Sequence, residues 1–322
     1  MKQKAMKRAT SLFNCIVSFE NLRSAWLKAR KGKTKKKAVK NFSRNVNANL
    51  TLLKHRLCEN NFSSYVQFKV HDPKERIISV VPFSDRVMHH AIMNVLESVF
   101  ERQSICHTYA CRKGKGTHAA ARYAKRKASS SKYFLKLDVK KYFDSIDHKC
   151  LKRQLSRIIK DSKCLMLLFA VIDSYASSSG AAKGLPIGNL TSQFFANFYL
   201  SSLDHFILER MNVRGYVRYM DDMVLFANSM EELKNMHKAV AAFCADELAL
   251  QLKEAVFGAT AHGVPFLGWR IAENRVYILQ KTKRRMKNTL KKIERKFALG
   301  QISEQEACIR SFAVYATRRV GQ

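Results

Sequence analysis

Between Val213 and Phe226 the chain turns from apolar to acidic and back: Val217-Arg218-Tyr219-Met220-Asp221-Asp222-Met223-Val224-Leu225-Phe226. The pattern predicts a hairpin-like pair of strands with Tyr219 to Asp222 at the tip. Two adjacent carboxylates on apolar strands are costly to bury unless a cation neutralises them. An ordinary exposed Asp-Asp turn is the other reading. A second acid favours the first: Asp138 lies near the end of Tyr133 to Val139 (YFLKLDV), which predicts a buried strand, 83 residues before Asp221. Strands that each end in an acid can meet side by side and hold two Mg²⁺ ions through oxygen ligands, with Mn²⁺ as a substitute. Ions about 3.5–4 Å apart activate an attacking hydroxyl and stabilise a leaving pyrophosphate. That is phosphoryl transfer by positioning and charge.

Charge identifies the partner class. The 322 residues hold 59 Lys plus Arg against 25 Asp plus Glu, a formal net charge of +34, which points to nucleic acid. A hydrophobic share of 47% is enough for a buried core and excludes a disordered basic tail. Residues 1–60 carry 16 Lys or Arg against Glu20 and Glu59, and residues 270–322 carry 14 against four acids. One such run could be a solvated helix face. Two runs flanking a less basic middle suggest the walls of a groove that tracks a phosphate backbone. The longest apolar run, Cys164 to Ile172, is too short for a membrane span, and no apolar leader follows the basic Met1 to Arg8. No membrane partner and a cytoplasmic location are therefore expected. The 8 Cys include no CxxC pair and read as buried free thiols.

Periodicity fills in the rest. Leu12, Phe13, Ile16 and Val17 recur at helical spacing before the basic run Lys28 to Lys40, and Leu50, Leu53 and Leu57 after it. Arg76 to Pro82 reads as a strand, and Asp85 to Phe100 as a helix started by Ser84 or Asp85. Leu151 to Tyr175 is mostly helical, and Asn189 to Leu208 is one long helix after the Gly184-Leu185-Pro186 turn. Glu231 to Leu250 is a further helix, and Val264 to Ile278 two short strands. Lys281 to Lys296 is a basic helix with Leu290, Ile293 and Phe297 as its apolar stripe. Ser129–Ser131 and Ser177–Ser179 are short loops. The fold class is α+β, with helices packed behind an antiparallel sheet.

From about residue 62 to 300, these motifs resemble reverse transcriptases, in the family's order. Lys69 and Arg76 are similar to the fingers pair that holds the incoming triphosphate. Tyr109 to His118 (YACRKGKGTH) is similar to a fingers segment of bacterial and intron enzymes and makes Arg112, Lys113 and Lys115 nucleic-acid contacts. Phe134 to His148 (FLKLDVKKYFDSIDH) resembles the first palm motif, with Asp138 and Val139 at the metals and Tyr142 and Phe143 at the dNTP. Gly184 to Gln193 (GLPIGNLTSQ) resembles the second, which puts Ile187 and Gln193 at the nucleotide. Tyr219 to Asp222 resembles the third, with Asp221 as the direct ligand and Asp222 as the second carboxylate. Phe266-Leu267-Gly268-Trp269 resembles the primer grip, and Lys283, Arg284 and Lys287 would contact nucleic acid from the basic helix. The resemblance implies a right-hand polymerase: a basic extension over 1–61, fingers over 62–132, palm over 133–270 with a fingers portion around 151–190, and a helical basic thumb over 271–322. Template RNA, a cDNA or primer strand and dNTPs are the implied partners.

Departures from the family pattern narrow the reading. Many reverse transcriptases carry Gln-Gly in the second palm motif with Ser-Pro four residues on; here Ile187 and Gln193 stand at the Gln and Pro positions. Ile187 to Gln193 is similar to the enzymes of diversity-generating retroelements, which copy a template-repeat RNA with errors opposite adenine for retrohoming. That resemblance implies a small helical partner, the accessory variability determinant oligomer, and a bacterial cell or phage-infected bacterium as the setting. A Gln at 187 could donate a hydrogen bond to the incoming nucleotide. Ile cannot, so a mispair loses less relative to a match. Alternatively, Ile187 merely packs apolar surface. Phe143 matches the steric gate that rejects a ribose 2′-hydroxyl, its alternative being a core aromatic beside Tyr142. The general acid is unassigned, since Lys253 is the nearest candidate but stands one to three residues out of register. His89, His90 and His118 read as packing or surface residues, and Asp144 and Asp147 as caps of the next helix. No maturase, endonuclease or RNase H domain fits after residue 300. A group II intron or retron enzyme, and a non-catalytic RNA-binding protein on the same scaffold, are the competing readings.

Overall fold

The computed structural model describes residues 9–71, 75–175, 182–273 and 275–316. Met1 to Arg8 and the Ser177–Ser179 loop lie outside them. The chain forms two compact units interleaved along the sequence: Met1–Ile105, Lys140–Asp204 and Phe243–Gln251 make one, and Cys106–Val139, His205–Ala242 and Leu252–Gln322 the other.

The first unit is mainly helical and is built on the helix Phe83–Gln103. Val87, Met88, Ala91, Ile92 and Leu96 recur at three- and four-residue intervals and are buried against the helices Phe19–Arg30 and Leu190–Tyr199. The helix starts at Phe83, with Pro82 at its N-cap, ahead of the Ser84 or Asp85 start expected from sequence. Asp85 is instead fully buried, accepts the Ser63 N–H at 2.6 Å and pairs with Arg56 at 2.9 Å. The stretch 151–175 divides into the helices His148–Ile158 and Ser162–Asp173. Asp147 caps the first through the Cys150 N–H at 2.9 Å, as expected, and Asp161 caps the second. Asp144 caps neither and lies inside the short helix Tyr142–Ser145. The long helix expected over 189–208 is broken into Leu190–Tyr199, Ser201–His205 and a π-helical turn, Phe206–Arg210. Tyr199, Leu200 and Leu203 are all buried, so the apolar pattern runs through the break without marking it. An antiparallel ribbon pairs β1 (Val66–His71) with β2 (Glu75–Val80).

In the second unit, β3 (Tyr133–Asp138), β4 (Gly215–Tyr219), β5 (Asp222–Ala227) and β6 (Val256–Ala259) form an antiparallel sheet in the order β4-β5-β3-β6. Ala120, Ala121, Ala124 and Ala128 of the helix Thr117–Ser129 are small enough to bring it close to Phe134, Val217, Val224 and Phe226. Edge strand β6, unmarked in the sequence, depends on Gly258: a Cβ there would stand 2.7 Å from the Phe134 ring. Val264 to Ile278 holds three strands where two were expected: β7 (Val264–Phe266), β8 (Trp269–Ile271) and β9 (Val276–Ile278). The extra reversal is a two-residue turn, with Leu267 and Gly268 at φ 51° and 89°. The basic helix spans Gln280–Ala298, but only Ile293 of its expected stripe is buried, and Phe297 is 47% exposed. The thiols also differ from expectation: Cys150, Cys164 and Cys244 are buried, whereas Cys15, Cys58, Cys106 and Cys308 are exposed. Among the described residues no helix is long and apolar enough to cross a membrane.

Candidate active site

The acids collect at one end of the four-stranded sheet. Tyr219 pairs with Asp222 across the hairpin, leaving Met220 and Asp221 as its two-residue loop. Met220 sits at φ 53°, a left-handed conformation that strains a side chain of this size. Asp138 ends β3 directly opposite Asp222. Burial, the nearby Asp138 charge and a hydrogen bond between the two carboxyl groups hold Asp221 up at about 6. Burial likewise lifts Asp222 to about 6, against the opposing pull of Lys136.

Two lysines complete the cluster. Lys136 Nζ lies 3.2 Å from Asp222 and donates to the Pro265 carbonyl at 3.1 Å. Asp222 Oδ1 is within 3.2 Å of that ammonium yet buried without hydrogen-bonding geometry. Lys253 Nζ reaches Asp138 Oδ1 at 2.6 Å, and its N–H donates to the Asp138 carbonyl at 2.8 Å. Sequence reasoning missed Lys136, although its place two residues before Asp138 puts both on one face of β3. It left Lys253 unassigned because its register in the motif is one to three residues off; the bridge between Val139 and Leu252, a long-range pairing, brings it to Asp138.

Among the described residues no His, Cys, Asp and Glu side chains form a three-ligand metal cage. The donor set nonetheless fits Mg²⁺, which is commonly held by one or two carboxylates together with phosphate oxygens. The carboxylates of Asp138 and Asp222, opposite each other in the ladder, and of Asp221 in the adjoining loop are hard oxygen donors of that kind, and the buried Asp222 Oδ1 has no hydrogen bond of its own.

The raised carboxyls have a stability consequence in protein kept in EDTA. A group whose pKa is higher folded than unfolded stabilises fully below its unfolded value and loses that contribution as pH rises through the folded one. For Asp221 and Asp222 the loss runs from 3.8 to about 6. Asp222→Asn should therefore gain Tm relative to wild type as pH rises across that window. Thermal melts from pH 3 to 8 test this, and a pH-independent difference would contradict it.

The remaining sequence candidates separate between the units. In the second, Phe266 and Trp269 are buried core residues, so the expected primer grip presents its Leu267-Gly268 turn rather than their rings. Arg112 is committed to the Thr108 carbonyl and hydroxyl at 2.8 Å, and Lys115 to the Cys106 carbonyl at 2.9 Å. Lys113, Lys283, Arg284 and Lys287 are exposed. His118 lies against Trp269, with ring centroids 5.7 Å apart.

In the first unit, Tyr142 is buried and donates to the Ala196 carbonyl. Phe143 is half-buried, and its carbonyl accepts the Leu185 N–H at 2.8 Å. Ile187 is half-buried and accepts from Ser79 N–H at 3.0 Å, which ties it to the end of β2. Gly188, at φ 113°, leaves no room for a side chain, since a Cβ would stand 3.1 Å from Ile78. Lys69 and Arg76 are not brought together. Lys69 pairs opposite Ile77 and Arg76 opposite Val70, so they occupy opposite faces of the ribbon, and Lys69 is bound to Glu75 at 2.9 Å. Arg76 shares the face of Ile78, the one against Gly188. Gln193 is exposed beside a small cavity lined by Lys33, Arg86, His89 and His90. His89 packs as expected: buried, bonded to Thr191 at 3.0 Å and pushed down to about 4 by burial.

The fold resembles that of apo telomerase from Candida tropicalis, truncated from the C-terminal domain, with a TM-score of 0.54 over 68% of this chain and 55% of that one, at 13% identity. Residues 69–271, more than half of the chain, match the family described as reverse transcriptase (RNA-dependent DNA polymerase). The chain belongs to that family. The group II intron-encoded protein LtrA of Lactococcus lactis subsp. cremoris is 30% identical over 145 residues, 44% of this chain and 24% of LtrA. The retron Ec83 reverse transcriptase of Escherichia coli is 28% identical over 166 residues, 48% of this chain and 53% of that enzyme. The chain thus matches about a quarter of the first relative's length and about half of the second's.

Proposed function

We propose that the protein synthesises DNA on an RNA template by two-metal nucleotidyl transfer. The carrying observation is Asp138 at the end of β3 directly opposite Asp222, with Asp221 in the hairpin loop beside them, in a chain of this family. Asp138, the Val139 carbonyl and Asp221 would hold Mg²⁺ or Mn²⁺, with Asp222 as the second carboxylate of the hairpin. When bound, the ions would acidify the primer hydroxyl and stabilise charge on the departing pyrophosphate. Lys136 fixes the Asp222 carboxylate against the Pro265 carbonyl. Lys253, already an ammonium donor to Asp138, is assigned the proton that the leaving group takes up.

In this reading the β1–β2 ribbon and residues 109–118 are fingers, the four-stranded sheet is palm, and the helices from Gln280 onward are thumb. Exposed Lys113, Lys283, Arg284 and Lys287 grip the template–primer backbone, and the Leu267-Gly268 turn meets the primer. Purified protein given RNA, an annealed DNA primer, dNTPs and Mg²⁺ should extend the primer, and EDTA should stop it. Duplex binding without extension in Mg²⁺ or Mn²⁺ would instead support the RNA-binding reading.

Ile187 favours a finer assignment to a diversity-generating retroelement, which copies a template-repeat RNA with errors at adenine. Its half-buried position, tied by its own carbonyl to Ser79, puts an apolar side chain where a Gln would donate. Ile187→Gln should lower misincorporation opposite template adenine severalfold, read by sequencing cDNA from both proteins. An unchanged spectrum would remove this position from fidelity and favour an intron or retron type. The same assignment brings an accessory variability determinant oligomer as partner, for which exposed Glu231 and Glu232 offer an acidic contact, and a bacterial cytoplasm as the setting.

A further inference from the structure

Arg218 is among the largest side chains in the molecule to be fully buried, at 1% exposure. Burying a guanidinium is costly, and an apolar side chain of similar reach would avoid the cost. Among the bonds this residue makes, those to Met220, His107 and Tyr109 set its place. Its guanidinium donates to the Met220 carbonyl at 3.0 Å. Its backbone N–H donates to the His107 carbonyl, and its own carbonyl accepts the Tyr109 N–H, both at 3.0 Å. The backbone pair adds residues 107–109 to the edge of β4, where Arg112 braces them through Thr108.

The bond to Met220 is the informative one, because that residue holds the left-handed turn immediately before Asp221. A strained conformation persists only where its surroundings over-determine it. Without the guanidinium, the peptide between Met220 and Asp221 loses the donor on its carbonyl and is freer to rotate. The Asp221 carboxyl would then wander from Asp138.

We infer that Arg218 is a positioning residue: it locks the Met220 turn and so aims Asp221 at Asp138 for metal binding. The inference rests on the polymerase reading for the identity of the ligands, but its test does not depend on turnover. Mn²⁺ binding, followed by EPR in protein free of nucleic acid, is compared for wild type, Arg218→Met and Arg218→Lys, with Asp221→Asn defining binding elsewhere. Arg218→Met removes the charge while keeping an unbranched chain, but it leaves the Met220 carbonyl without this donor, so binding is compared at equal folded fraction with Tm measured alongside. Arg218→Met should weaken site-specific Mn²⁺ binding about tenfold, and primer extension about a hundredfold at fixed Mg²⁺, since a displacement near 1 Å has that effect. KM for dNTP should stay nearly constant while kcat falls. Arg218→Lys, with one ammonium in place of the planar fork, should bind Mn²⁺ a few-fold more weakly than wild type.

Equal Mn²⁺ binding in wild type and Arg218→Met at equal folded fraction would overturn the inference. If Arg218→Met does not fold, wild-type binding by Arg218→Lys would overturn it instead. A wild-type protein that extends no primer, alongside variants that still lose Mn²⁺, would sink the polymerase reading and leave the positioning role standing.

Discussion

Asp221→Asn should abolish primer extension on RNA while leaving RNA binding within about twofold, because backbone affinity is a sum over many cationic contacts. Asn keeps the size of Asp and its place in the loop beside the Met220 turn, so the hairpin stays formed. What disappears is one partner of the Asp138–Asp221 pair, and with it the charge needed to hold a divalent ion. A lost metal contribution of several kcal/mol is about a thousandfold or more in rate at tenfold per 1.36 kcal/mol. The variant should be no less stable than wild type at neutral pH, since a carboxyl held up at about 6 is buried there at a cost. RNA binding should survive because the substitution leaves exposed Lys113, Lys283, Arg284 and Lys287 unchanged. Extension at more than a few per cent of the wild-type rate would remove Asp221 from catalysis. Loss of RNA binding in parallel would mean that the substitution had disturbed the fold instead.

The hairpin itself was legible because it obeys local rules. Apolar runs on either side of the acids set both strands, and the alternation in Tyr133 to Val139 set their neighbour. Pairing Asp138 opposite Asp222 needed only that each acid end its strand. Lys253 was less accessible, because its approach to Asp138 depends on the bridge between Val139 and Leu252, 113 residues apart. Lys69 and Arg76 differ in kind. The family resemblance made them a pair, while period-two alternation across the register of the β1–β2 ribbon puts them on opposite faces. Phe266 and Trp269 entered through the resemblance to a primer grip, and a motif does not say which of its side chains face inward; both are buried. The broken helix after Asn189 left no trace, since burial on either side of Leu200 is continuous. What a sequence conceals here is long-range register and the direction in which a motif faces.

Phe143→Ala should admit ribonucleotides. The ring belongs to the helix Tyr142–Ser145, which cannot easily drift: the Tyr142 hydroxyl is tied to the Ala196 carbonyl, and the Phe143 carbonyl accepts the Leu185 N–H at 2.8 Å. Gly184 N–H donates to the Ile146 carbonyl at 2.8 Å, so the helix is held from both ends against the Gly184-Leu185 segment. Phe143 meets Tyr142 edge-on, with centroids 5.9 Å apart at 69°, and keeps part of its ring exposed. A rigid backbone beneath a partly exposed ring is what steric exclusion of a 2′-hydroxyl requires, because a ring free to swing aside would exclude nothing. Removing it should raise rNTP over dNTP incorporation about tenfold to a hundredfold, the range that a few atoms of pocket shape can supply. Lost packing should cost about 2 kcal/mol, below the value for a fully buried Phe. Phe143→Tyr keeps the bulk and should keep the discrimination. Single-nucleotide incorporation, with each nucleotide varied separately, measures the ratio directly. If Phe143 is only a packing residue, Phe143→Ala lowers Tm and slows both nucleotides alike, leaving the ratio where the wild type has it.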